Sequence, residues 1–268
     1  MSEVMLEIRA GSKTFNPGTI NEKKAMDHLE LVIDKGDFIT MIGGNGAGKS
    51  TMMNAITGVF RLDEGQILLD GEDITSLNEH KRAKYFGRVF QDPMMGTAPN
   101  MQIEENLALA NRRGRRHGLR WGISAKERET YKKALARLEL GLEDRMNAKV
   151  GLLSGGQRQA LTLLMATLRE PKMLLLDEHT AALDPKTATK VLRLTQEIVE
   201  EHQLTTLMVT HNMQNAIEYG NRLIMLHNGR VILDIRGEEK RALTVEKLLE
   251  QFKDASDGDM PSDRALLG

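Results

Sequence analysis

The sequence predicts an α/β fold, and three observations carry that prediction. Short apolar runs of strand length, Phe38–Ile42 and Met173–Leu176 among them, alternate with helical patterns. The first of these runs leads into Gly43-Gly44-Asn45-Gly46-Ala47-Gly48-Lys49-Ser50-Thr51, a complete G-x-x-x-x-G-K-[ST] phosphate loop set between a strand and a helix. The second ends in the acidic pair Asp177-Glu178, as a buried strand does when its edge carries chemistry.

Taken in order, residues 4 to 36 read as strand, loop, strand, with the turn signal Asn16-Pro17-Gly18 between Met5 and Ile8 and the later Leu29, Leu31 and Ile33. Phe15, near that turn, is either a core or edge residue or a platform for a nucleotide base. The Phe38–Ile42 strand and a helix over 51–57, stopped by Gly58, bracket the phosphate loop. Its glycines let backbone N–H groups turn inward at a helix start, where they cradle phosphate oxygens. Lys49 then reaches the β- and γ-phosphates and the Ser50 hydroxyl holds Mg²⁺. A hairpin follows, turning at Asp70-Gly71, and then a strand over 86–90 that ends at Gln91-Asp92-Pro93. Gln91 is a plain turn residue or a ligand for Mg²⁺ and the attacking water.

From about residue 94 to 169 the chain turns mostly helical. One short helix covers 104–112, and Ser124 with Glu127 makes a capping box for a helix through Tyr131, Leu135 and Leu138. Between them lies Arg112, Arg113, Arg115, Arg116, His117 and Arg120, then Trp121: a solvated loop anchored by Trp121, or a surface for RNA or lipid phosphate. Leu153-Ser154-Gly155-Gly156-Gln157 opens a helix running to Leu168 and makes a second anion-binding helix start. The strand ending at Asp177-Glu178 supplies a carboxylate for Mg²⁺ and one to deprotonate water. Asp184 caps a helix that begins at Pro185 and runs to about His202. A buried strand over 205–210 ends at His211, a capping or surface residue or a γ-phosphate donor. A hairpin around Asn228-Gly229, a helix over 245–252 and a loosely ordered tail from Lys253 complete the chain.

Composition narrows the classes. With 268 residues there is room for one large domain with subdomains. A formal net charge of -1 gives no global attraction for nucleic acid, and 4% aromatic residues leave few platforms for stacking bases. There is no cysteine, which fits a reducing cytosol. Neither a signal peptide nor an apolar run long enough to cross a bilayer is read, so a membrane role is expected from outside the lipid.

Phe15, the phosphate loop, Gln91, Leu153–Gln157, Leu176–Glu178 with Asp184, and His211 stand in the order of one family. The chain from about Val4 to Ile235 resembles the ATPase subunit of ATP-binding cassette (ABC) transporters, with Leu-Ser-Gly-Gly-Gln the most specific piece. The resemblance implies a P-loop NTPase (RecA-like) core with an antiparallel β subdomain, about 1–91 and 170–240, and an inserted α-helical subdomain, about 92–169. A C-terminal helix and tail, 241–268, would follow. It implies ATP and Mg²⁺ as cofactors, with Phe15 on the adenine, residues Gly43–Thr51 on the phosphates, and Ser50, Gln91 and Asp177 at the metal. Glu178 would be the general base, His211 the switch histidine and Asp184 part of a cross-interface loop. Ser154, Gly155, Gly156 and Gln157 would meet the ATP of a second copy in a head-to-tail homodimer closed by ATP. A separate transmembrane permease and an extracytoplasmic binding protein would complete the system at the cytoplasmic face of the membrane, with no nucleic acid involved.

Met165 stands where relatives often carry arginine, and His179 where proline is usual. The stretches Phe90–Thr97 and Leu163–Thr167 look most like a bacterial importer subgroup whose suspected cargo is amino acids, aromatic ones included. Met94 and Met95 are soft side chains suited to a permease helix, or ordinary core filling. The rival reading is a soluble cassette ATPase acting as an assembly factor or nucleic-acid remodeller, supported by the arginine cluster alone.

Overall fold

A computed structural model describes residues 3–114 and 122–255. The expectations for Arg115, Arg116, His117, Arg120, Trp121 and the tail beyond residue 255 lie outside the described residues. In chain order the strands and helices begin with β1 (Val4–Phe15), β2 (Lys23–Asp34), β3 (Phe38–Ile42), α1 (Lys49–Thr57), β4 (Glu64–Leu69), β5 (Glu72–Asp73) and α2 (Glu79–Arg82). There follow β6 (Phe86–Val89), α3 (Ile103–Asn111), α4 (Ala125–Ala136), α5 (Gly155–Thr167), β7 (Met173–Asp177) and α6 (Pro185–His202). The chain closes with β8 (Thr206–Val209), α7 (Met213–Glu218), β9 (Arg222–His227), β10 (Arg230–Arg236), α8 (Gly237–Arg241) and α9 (Val245–Ala255). Two compact units result: Met1–Arg82 with Gln203–Gly268, and Ala83–His202.

The first unit holds an antiparallel sheet in the order β2-β1-β4-β5 and the run β10-β9-β3-β8. In β2, Leu29, Leu31 and Ile33 point inward while His28, Glu30 and Val32 point toward solvent or partial cover, the period of a half-buried strand. All five residues of β3 are buried, because β8 and β9 flank it in parallel with Phe38 beside Thr206 and Ile39 beside Arg222. The hairpin turns expected at Asp70-Gly71 and Asn228-Gly229 are present, each with two consecutive positive φ angles. Gly58 ends α1 at φ 81°, also as expected.

Helix α2, only four residues long, escaped the periodicity reading, yet its buried Arg82 finishes α1. The Arg82 guanidinium donates to the carbonyls of Ala55 (2.7 Å), Ile56 (2.9 Å), Leu77 (2.8 Å) and Thr75 (2.8 Å). A buried cation is tolerable there because it meets the negative end of the helix and spends its N–H groups on backbone oxygens.

In the second unit β6 and β7 pair in parallel, Phe86 beside Met173 through Val89 beside Leu176. Helices α3, α4 and α5 share an apolar core that includes Leu107, Tyr131, Leu135 and Leu161. The Ser124–Glu127 capping box forms, with the Ser124 N–H donating to Glu127 at 2.8 Å and the Glu127 N–H to the Ser124 hydroxyl at 3.2 Å. Helix α4 stops at Ala136, short of Leu138. Leu138 is buried through the turn that follows, whose N–H reaches the Leu135 carbonyl, and apolar spacing cannot tell such a turn from one more helical step. In the described part of the arginine cluster, Arg112 donates to the Gly122 carbonyl and Arg113 to those of Ala166 and Arg169, at the end of α5.

Candidate functional site

The first unit carries the phosphate loop. Between β3 and α1 the backbone passes through Gly43 (φ 154°), Gly46 (φ 80°) and Gly48 (φ 106°). A Cβ on Gly48 would press into the Ala25 carbonyl oxygen, and one on Gly43 into that of Leu226, so backbone walls as well as φ demand glycine. Gly48→Ala is expected to cost about 2 kcal/mol of stability in urea denaturation, the range for a forced left-handed residue; an unchanged midpoint would mean that the loop relaxes freely. Gly48 is the cap of α1 and offers no side chain to its first N–H groups. The loop is braced from below by the β9–β10 turn: the Gly229 N–H donates to the Ala47 carbonyl (3.0 Å), and the Asp27 N–H to the Gly229 carbonyl (3.1 Å). Asp27 pairs with Lys24, His28 and Arg230, and these bonds, that from Lys24 first, hold its carboxyl well below the usual carboxylate range.

Lys49 is buried, and its ammonium donates to the carbonyls of Gly43 (2.6 Å) and Gly44 (3.1 Å), so it lies over the loop it belongs to. Asn45, Gly46 and Ser50 are exposed, Gly44 and Thr51 half-buried, and Ala47 buried. The glycine cradle, the uncapped helix start and the folded-back ammonium fit a phosphate group. Phe15 is half-buried at the end of β1, edge-to-face with Phe60 at 5.5 Å, with the Lys13 ammonium 5.8 Å from its ring centre. Sequence reasoning passed over Phe60. His211, half-buried, sits in a link fixed on both sides: the Thr210 N–H donates to Met41 (3.0 Å), and Asn212 caps α7 by accepting from the Asn215 N–H (2.9 Å). The capping role considered for His211 therefore falls to its neighbour.

The second unit carries the remaining residues. Gln91 is exposed just beyond β6, and the preceding Phe90 carbonyl accepts from the side chain of fully buried Gln159 on α5 (3.2 Å). Ser154 caps α5 and forms a box with Gln157: the Gln157 N–H donates to the Ser154 hydroxyl (3.3 Å), and the Ser154 N–H to Gln157 (3.1 Å). Ser154 and Gly155 are exposed, while Gly156 is buried against Thr187, whose methyl leaves no room for a Cβ. The Thr187 N–H also donates to Asp184 (3.1 Å), so the start of α6 binds the Asp184 loop to α5, the helix opened by the signature Leu153–Gln157. Hydrogen bonds from the Thr187 hydroxyl and N–H keep the Asp184 carboxyl below its ordinary value.

Asp177 ends β7 and is held by Arg88 of β6 at 3.2 Å, with the guanidinium 4.6 Å from the Phe90 ring centre. Arg88 was not singled out from sequence; an arginine inside an otherwise apolar strand was the available signal. Glu178 adopts φ 47°, a strained angle for a non-glycine residue, and its carbonyl accepts from the Ala181 N–H (2.9 Å). His179 is buried against Thr195 of α6 (3.1 Å), and burial pushes its imidazole down to about 4. In the second unit Gln91 and Asp177 offer amide and carboxylate oxygens, and in the first Ser50 offers a hydroxyl, each a donor type that suits a hard cation such as Mg²⁺.

A family model described as "ABC transporter" matches residues 26–181. The chain is 48% identical over 250 residues, 93% of its length and 99% of the relative's, to a tyrosine transport ATP-binding protein of Clostridioides difficile (strain R20291). It is 32% identical, over 94% of its length and 96% of the relative's, to the phosphonates import ATP-binding protein PhnC of Bacillus cereus (strain ATCC 10987 / NRS 248). Among solved structures it is similar to the dimeric post-hydrolysis state of the ATP-binding cassette MJ0796 bound to ADP and Pi, with TM-score 0.74 and 30% identity, covering 89% of this chain and 100% of that one. It is also similar to the ADP conformation of MJ1267, an ATP-binding cassette of an ABC transporter, with TM-score 0.76 and 29% identity, covering 93% and 98%.

Proposed function

The chain belongs to the ABC transporter family as one of its ATPases, and from that premise we propose that it powers uptake of an amino acid, an aromatic one such as tyrosine, through a separate permease. The observation that carries this reading is the 48% identity, along nearly the whole of both chains, to a tyrosine transport ATP-binding protein. Two copies work head to tail, each offering the exposed Ser154 and Gly155 of its signature to the phosphate chain held by its partner. That arrangement explains why one chain carries two helix starts suited to anions.

In this reading Phe15 stacks on the adenine, and the Lys49 ammonium exchanges the carbonyls of Gly43 and Gly44 for phosphate oxygens, joined by the N–H groups at the start of α1. Bound Mg²⁺, held by Ser50, Gln91 and Asp177, would neutralise phosphate charge. Arg88 fixes the orientation of Asp177. Glu178 takes a proton from the attacking water, and His211 orients the γ-phosphate. Loss of that phosphate removes the bridge between copies and lets the pair open. An extracytoplasmic binding protein would deliver the cargo. No helix among the described residues is long and apolar enough to cross a membrane; in this scheme the crossing is the permease's.

Met94 and Met95, 41% and 69% exposed, are not core filling. We assign them to the permease contact. With the permease co-expressed, Met94→Glu with Met95→Glu is expected to abolish its co-purification and coupled uptake of labelled tyrosine, with basal ATP hydrolysis within about twofold of the parent, as for surface changes. Retained uptake would remove these residues from the contact. If the intact pair transports no aromatic amino acid, the cargo assignment fails. The rival remodeller reading would need salt-dependent RNA or DNA binding lost on neutralising the arginine cluster.

A further inference from the structure

The candidate nucleotide site contains a second lysine that its motif does not predict. In the β1–β2 hairpin Lys23 is the direct cross-strand partner of Phe15, the residue assigned to the base. Residues so paired project from the same face of a sheet, with Cβ atoms about 5 Å apart. From that position the Lys23 side chain reaches the crown of the phosphate loop: a Cβ built on Gly46 would lie 2.6 Å from its ammonium nitrogen and 3.7 Å from its Cε.

Neighbouring lysines are committed elsewhere. Lys24 pairs with Asp27, Lys13 with Asp63 and Lys35 with Glu3 and Asp70. The Lys23 side chain makes no ion pair or hydrogen bond among the described residues, although it is exposed and able to turn away. A loop whose backbone N–H groups converge on an anion cradle is a poor resting place for an ammonium, since both are positive, unless an anion is to be shared between them. Lys49 approaches the loop from the helix side, over Gly43 and Gly44; Lys23 approaches it from the hairpin side, over Gly46.

We propose that Lys23 is a second phosphate-binding cation of this site, donating to the phosphate chain at Gly46 and tying the base-stacking hairpin to the phosphate loop. The proposal rests on the nucleotide-site reading above. It makes Lys23 a binding residue for the phosphate chain itself, independent of the base.

The test is equilibrium binding of two probes, ATP and inorganic tripolyphosphate, measured by calorimetry with the full-length chain. Lys23→Met is expected to weaken both by about 5- to 10-fold at low ionic strength, the worth of one partly exposed charge-assisted hydrogen bond. The deficit should shrink below about twofold near 0.5 M salt, where an exposed charge is screened within a few ångströms. Lys23→Arg should bind within about twofold of the parent, because it restores the charge. Phe15→Ala should weaken ATP and leave tripolyphosphate unchanged, separating stacking from phosphate contact. Lys23→Met binding within twofold of the parent at low salt overturns the proposal. So does a loss confined to ATP, which would place Lys23 at the base. A parent chain that binds neither probe overturns the nucleotide reading itself, and with it this one.

Discussion

Glu178→Gln is expected to bind ATP about as tightly as the parent while turning it over at least about 100-fold more slowly, the lower bound for loss of a general base. The side chain keeps its size and its capacity for hydrogen bonding; only the basicity goes. Its backbone setting argues for a demanding role. Glu178 holds φ 47° directly after a strand buried up to Leu176, and a non-glycine residue keeps such an angle only when its surroundings enforce it. Here the enforcing contacts are the Ala181 N–H on its own carbonyl and the neighbouring His179, locked to Thr195. Because hydrolysis is what lets the proposed pair open, the variant should accumulate as a dimer in ATP. Light scattering and a single-turnover assay check both halves. A monomer in ATP, or turnover near that of the parent, would move the base assignment elsewhere.

The second large effect is a loss of stability in mild acid that originates at His179. The Thr195 hydroxyl donates to the Val191 carbonyl (2.8 Å), so its oxygen accepts, and the proton on the imidazole is assigned to Nε2. Burial holds the ring neutral by pushing its pKa down to about 4 from an ordinary 6.5. Between those values the unfolded chain binds the proton and the folded one does not, so stability falls as pH drops below about 6.5 and levels off near 4. The difference corresponds to about 3 kcal/mol at the acid end. Urea denaturation of the parent and of His179→Asn at intervals from pH 7.5 to 4 measures it, and the variant should lack most of the slope. Carboxylates held below their usual range, Asp27 and Glu104 among them, contribute stability above the ordinary carboxylate range and lose it as pH falls through their lowered values, a loss that parent and variant share. A parent and a variant with equal slopes between pH 6.5 and 4.5 would clear His179.

Much of the fold was legible because its signals are local. The strands at 38–42 and 173–177, the capping box at Ser124 and the glycine turns at residues 70–71 and 228–229 depend on residues a few positions apart. Short helices were not legible: α2, α7 and α8 have four to six residues, too few for a period of 3.6 to register. The proposed site residues stand out by type and spacing, and the structure places Phe15 and Asp177 at strand ends and Lys49 and Ser154 at helix starts. Their supports do not stand out in this way. Nothing near Asp177 in the sequence points to Arg88, nor near Gly156 to Thr187, and His179 reads only as a departure from proline until Thr195 is seen beside it.

The phosphate loop, the signature helix start and the acidic strand end are each written in consecutive residues whose backbone preferences act on the spot. Which groups sustain them depends on how the chain packs. That packing sets Gly229 under Ala47, Arg82 at the end of α1, His179 in a dry pocket and Lys23 over Gly46. Hydrophobic periodicity states which face of an element turns inward but not which element it meets. Once buried, every polar group must take a partner from whatever chain closure brings alongside, however distant in sequence.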